Sequence, residues 1–116
     1  MAILPNDWPA SFGLITCAAS ELDTALPPTV LGVAVVHAPG AAGETIFLVV
    51  ESRAGSLLAQ CVRRLRTAKL PEPGTLRVSF KVVPPADASA EAVHEACRAQ
   101  VILASELRRA LRPALR

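Results

Sequence analysis

His37 follows an apolar, largely β-branched run, Val30 to Val36. Histidine in such a place becomes a general base only if a hydroxyl or thiol lies beside it. No G-x-S-x-G elbow occurs in the chain to supply one. The residues therefore read as a strand-end histidine bonded to backbone, with a small enzyme using His37 or a cysteine as an alternative. His94 and Cys97 stand three apart on a helical stretch and share a face. Zinc takes three or four ligands, and no further cysteine or histidine is near in sequence, so no metal is assigned. Pro39-Gly40-Ala41-Ala42-Gly43 has the glycines of a phosphate loop but feeds a strand and not a helix N-terminus, so it reads as a hairpin turn. No catalytic residue and no cofactor is expected.

The charge pattern excludes further classes. With 12 basic and 10 acidic residues the net charge is +2, too near balance to imply a polyanionic partner. Arg63, Arg64, Arg66, Arg108, Arg109, Arg112 and Arg116 could line a basic face, but tyrosine is absent and only three phenylalanines are present. Stacking on single-stranded nucleic acid is not expected, and these arginines read as solvated helix surface. No apolar run approaches the roughly 20 residues of a membrane helix, and the N-terminus lacks a basic start and an apolar stretch. Cys17, Cys61 and Cys97 form no CxxC pair. An odd, scattered set fits reduced thiols, and the expected location is the cytoplasm.

These side chains must be held by few elements. At 116 residues and 52% hydrophobic content the chain is sized for one α+β domain, read as 11–116 behind an irregular arm, 1–10. Phe12 to Cys17 predicts a strand, and Ser20-Glu21-Leu22-Asp23 resembles a capping box opening a short helix through Leu26. Val30–Val36 and Thr45–Val50 predict a hairpin of buried strands. Ala54–Lys69 predicts a helix with Leu57, Leu58, Cys61, Val62 and Leu65 inward. Leu76, Val78, Phe80 and Val82 alternate with Arg77, Ser79 and Lys81, the pattern of a strand with one wet face. From Ser89 a long helix follows, with Val93, Cys97, Val101, Ala104, Leu107 and Leu111 as its expected core stripe. The order is β-α-β-β-α-β plus a C-terminal helix, a ferredoxin-like arrangement. Ile102 and Leu103 beside that stripe make the last helix apolar over much of its girth, which calls for burial beyond one sheet face.

Several strings, in order, resemble the small C-terminal subdomain of the adenylate-forming enzymes (acyl-CoA synthetases and nonribosomal-peptide adenylation domains). Asp7 stands where that family has its hinge residue. Glu21-Leu22-Asp23-Thr24-Ala25-Leu26 is similar to its short helix, and Val33-Ala34-Val35-Val36 to its Ala-Val-Val strand. Gly43-Glu44 with Ile46–Val50, then Leu57–Leu65, Lys69-Leu70-Pro71 and Val78–Pro84, are similar to the family's later strand, helix and final strand. The likeness spans roughly 7–85. It departs at the catalytic lysine: counting from Pro84 or Pro85, that position holds Ala90 or Glu91, which cannot supply positive charge to a forming adenylate. These 116 residues hold no counterpart of the family's large ATP-binding domain.

The resemblance implies a non-catalytic docking or accessory domain, free-standing and degenerate. Its expected partner is a protein, either a truncated adenylating enzyme or a second copy of the chain. Expected contacts are Glu21 and Asp23 with Val101, Ile102 and Leu103. The reading from a different class is a ferredoxin-like module that senses or binds a small ligand.

Overall fold

The computed structural model describes residues 7–40, 43–52, 56–68, 70 and 75–114. Its elements are, in order, helix α1 (Trp8–Ser11), strand β1 (Ile15–Ala18), helix α2 (Leu22–Ala25), strands β2 (Gly32–Gly40) and β3 (Gly43–Glu51), helix α3 (Leu57–Thr67), strand β4 (Arg77–Val82) and helix α4 (Ala90–Leu111). A 3-10 turn, Ala19–Glu21, leads into α2. The mixture of helix and strand and the long C-terminal helix are as expected. Across the sheet the strands lie β1-β4-β2-β3, and every pairing is antiparallel.

That lateral order makes β1 and β2 run parallel with β4 between them, and β3 and β4 run parallel with β2 between them. Both strand–helix–strand crossovers are therefore split. Alternation along β2 sends Ala34, Val36 and Ala38 to one face, where they pack with Leu48, Val50, Val78 and Phe80 under Leu22, Leu26, Leu57 and Cys61. Val33, Val35, Ile46 and Val49 form the other face, covered by Trp8, Leu14, Ala104, Leu107 and Leu111. The sheet is thus clad on both sides, by α2 and α3 on one and by α1 and α4 on the other. Gly32 permits a close approach of strands, since a Cβ there would run into the Lys81 carbonyl of β4. At the hairpin the register slips between Val36 and His37, so Val36 pairs with Leu48 and His37 with Ile46. This bulge lets β3 turn both Phe47 and Leu48 toward the α3 side.

Several expectations change. The arm is not irregular throughout: Trp8–Ser11 forms a helical turn with Pro9 near its start, and Trp8 is 1% exposed. Residues 1–6 lie outside the described residues, as do Ala54, Lys69, the Pro71–Gly74 break and Arg116. No side-chain cap forms at α2, because the 3-10 turn carries the chain into it. Side-chain caps occur instead at α3 and α4, where the Ser56 and Ser89 hydroxyls accept the Ala59 and Ala92 N–H groups.

The largest change concerns α4. Its core stripe is Ala96, Gln100, Ala104, Leu107 and Leu111. Val93 and Val101 are each 38% exposed, because the covered face of this half of α4 is rotated from theirs by about a sixth of a turn. Two polar ties set that rotation. The Ser52 hydroxyl accepts the Gly32 N–H and donates to Gln100 Oε1 at 2.6 Å, and Arg108 donates to the Val49 carbonyl at 3.2 Å.

Candidate functional site

His37 does not end its strand, and its ring bonds side chains, not backbone. It sits inside β2, 1% exposed, at the centre of a chain of side chains drawn from the three other strands. Its Nε2 lies 2.7 Å from Ser79 Oγ on β4, and its Nδ1 lies 3.2 Å from Glu44 Oε2 on β3. Ser79 Oγ in turn lies 2.7 Å from Thr16 Oγ1 on β1. With Glu44 as a carboxylate, which only accepts, the proton directions follow. His37 Nδ1–H donates to Glu44, Nε2 accepts the Ser79 O–H, and Ser79 accepts the Thr16 O–H. Burial pushes the imidazole below the ordinary histidine pKa; Glu44 pulls the other way, and Arg77 adds to the depression.

The alternation along β4 predicts a wet face for Arg77, Ser79 and Lys81. Arg77 and Lys81 are exposed accordingly, but Ser79 is fully buried, because α1 and α4 cover that side of the sheet. The Trp8 ring meets the imidazole edge-on, with centroids 4.9 Å apart and planes at 76°. A hydroxyl wired to a neutral imidazole and a carboxylate is the arrangement that activates serine nucleophiles. Here Ser79 is 0% and His37 1% exposed, whereas acyl transfer needs room for a reacting atom about 3 Å from both nucleophile and oxyanion donors. The chain is therefore a closed polar network, with Thr16 exposed at one end and Glu44 partly covered at the other.

The sequence-derived partner residues divide into two groups. Glu21, just before α2, and Asp23, within it, are exposed on the α3 side of the sheet, where Asp23 joins Leu22, Val62, Leu65 and Arg66 around a shallow groove. Val101 and Ile102 are exposed on α4, on the opposite side, so no single contact can use all four. Leu103 is partly buried and packs into the core, which removes it from a docking surface. Asp7 is exposed and its carbonyl accepts the Ala10 N–H at the start of α1. Ala90 and Glu91 are exposed in the first turn of α4.

His94 and Cys97 do share a face, as expected, and with Arg98, Val101 and Ile102 they line an open, largely apolar groove on the outer side of α4. Among the described residues no cluster of three or more histidine, cysteine or acidic side chains could hold a metal ion. Cys61 is buried, and burial pushes its thiol up to about 12; burial also raises Cys17. No helix among the described residues is long and apolar enough to cross a membrane. Sequence reasoning missed the partners of His37, since Ser79 lies 42 residues away and Glu44 across a hairpin. The alternation that put Ser79 on the face of Val33 and Val35 was the available signal. No family model, curated protein or solved structure matches this chain.

Proposed function

We propose that this chain is a non-catalytic docking domain that works as a homodimer, joined through the outer face of α4. Ala90, His94, Cys97 and Val101 succeed one another at steps of four, three and four, the spacing of a coiled-coil seam. Ala90, His94 and Val101 are exposed and Cys97 half-buried, whereas the residues of the core stripe are covered. That exposed seam is the observation that carries the reading. Charge selects the occupant. Glu91 and Arg98 flank the seam on one side, and an antiparallel pairing with a second copy sets each Glu91 beside the other copy's Arg98. The resemblance to the mobile subdomain of adenylate-forming enzymes supports a docking role in general. On the same footing, the two split crossovers support a variant of the ferredoxin-like plan in which β4 and β2 occupy the centre.

Sedimentation velocity over a concentration series tests this. The expected result is a monomer–dimer equilibrium that Arg98→Glu weakens and that adding Glu91→Arg in the same chain restores, since the swap rebuilds the pair. Val101→Asp, at an exposed position, should abolish it without changing the circular dichroism. A chain that stays monomeric at the highest soluble concentration overturns the proposal. So does one that binds a separate adenylating core through α4 in preference to itself.

A further inference from the structure

The arm over the histidine network is held to the sheet by its side chains, with Trp8 buried in the core. α1 is one turn long, and among the described residues its backbone bonds run within 7–14: Ala10 N–H to Asp7, Phe12 and Leu14 N–H to Pro9, and Gly13 N–H to Ala10. Gly13, at φ +71°, follows it directly, and rotation there gives up the Leu14 N–H to Pro9 bond but no ladder bond. Trp8 Nε1 is buried with no acceptor among the described residues, so seating the indole leaves unsatisfied a polar group that water would satisfy on release. The contact that holds the indole includes His37, whose ring it meets edge-on.

We propose that α1 is a pH-operated cap: a proton on His37 releases Trp8 from the sheet and uncovers the Thr16–Ser79–His37–Glu44 chain. The proton has a route in. Once Nε2 carries hydrogen it must donate, so Ser79 turns to accept from it and donates to Thr16, which is exposed. The two hydroxyls reverse together and neither loses its partner. The charged groups around the ring are Glu44 on β3, which favours the imidazolium, and Arg77 on β4, which opposes it. Trp8 on α1 and Ser79 and Thr16 on the sheet are neutral. Covering by the cap denies the imidazolium its water. By reciprocity, a binding event the closed state opposes must favour the open state.

Trp8 is the single tryptophan, so its fluorescence reports the cap alone. Between about pH 8 and pH 5 the emission should shift reversibly to the red and acrylamide quenching should rise, while far-UV circular dichroism stays constant. In His37→Gln, which can still hydrogen-bond but does not titrate, the emission should not move with pH. Hydrogen exchange on the unmodified protein gives a reading that needs no variant. Corrected for the intrinsic effect of pH, protection over residues 7–14 should fall at the lower pH while β2 and β4 keep theirs. Emission that changes only with global unfolding, a titration that survives in His37→Gln, or unchanged protection over residues 7–14 would each overturn the cap.

Discussion

Ser79 shows what a buried hydroxyl contributes when two neighbours depend on it. Replacing it with alanine strands His37 Nε2 and removes the acceptor of Thr16. Leaving a buried polar group unsatisfied costs about 1–3 kcal/mol, so Ser79→Ala should lower the chemical-denaturation free energy by that amount. Thr16→Val should cost less, since its hydroxyl is at the exposed end. The pH dependence has a definite sign. The His37 pKa in the fold is held below its ordinary value by burial. In the window below about 6.5 the unfolded chain binds more protons, so stability falls as pH drops toward the lowered value. Melting curves across that window should show a slope that His37→Gln loses. Thiol reactivity should follow the same logic of burial. Cys61, pushed up to about 12, should resist iodoacetamide in the native protein, while the half-buried Cys97 on α4 is alkylated first; mass spectrometry of the modified chain reads the order.

Among the elements, α4 is the one whose role turns on its orientation. Its 22 residues begin at a Ser89 cap, preceded by Asp87, whose carboxylate accepts the Ser89 N–H at 2.7 Å. Ser89→Ala should cost about 0.5–2 kcal/mol, read from urea unfolding. More decisive is Gln100, the polar residue in the middle of the covered stripe. Its Oε1 is the acceptor for the Ser52 hydroxyl, which itself receives the Gly32 N–H, so helix, strand end and hairpin are joined at one point. An apolar substitute would pack as well but would leave Ser52 without its acceptor. The rotation this tie imposes turns Ala90, His94, Cys97 and Val101 outward and creates the seam proposed for dimerisation. In α3 the sequence pattern indicated most of the inward residues: Leu57 and Cys61 are fully buried over Ala34 and Val36, and Leu58 and Leu65 pack beside them, whereas Val62 lines the groove next to Asp23.

At the scale of the whole molecule, one sheet carries two separate apolar layers, and the polar chemistry lies within the layer that α1 and α4 cover. Much of the architecture was legible in the chain itself: the unbroken apolar run of β2, alternation along β4, prolines between elements, the serine before α4, and the scatter of cysteines are all local signals. They act through backbone geometry over a few residues, and no distant partner is needed to read them. The tertiary structure alone decided which residues meet. Antiparallel pairing of β2 with β4 brought Ser79 to His37 across 42 residues of sequence. A hairpin bulge kept Glu44 within reach of the same ring, and the arm delivered Trp8 over it. Likewise Val93 and Val101 are apolar residues at helical spacing whichever face is buried. Only the contact of α4 with Ser52 and Val49 determined that the neighbouring face would be covered and theirs left open. Periodicity tells which residues share a side of a helix; the side that meets the core is set by the partner surface.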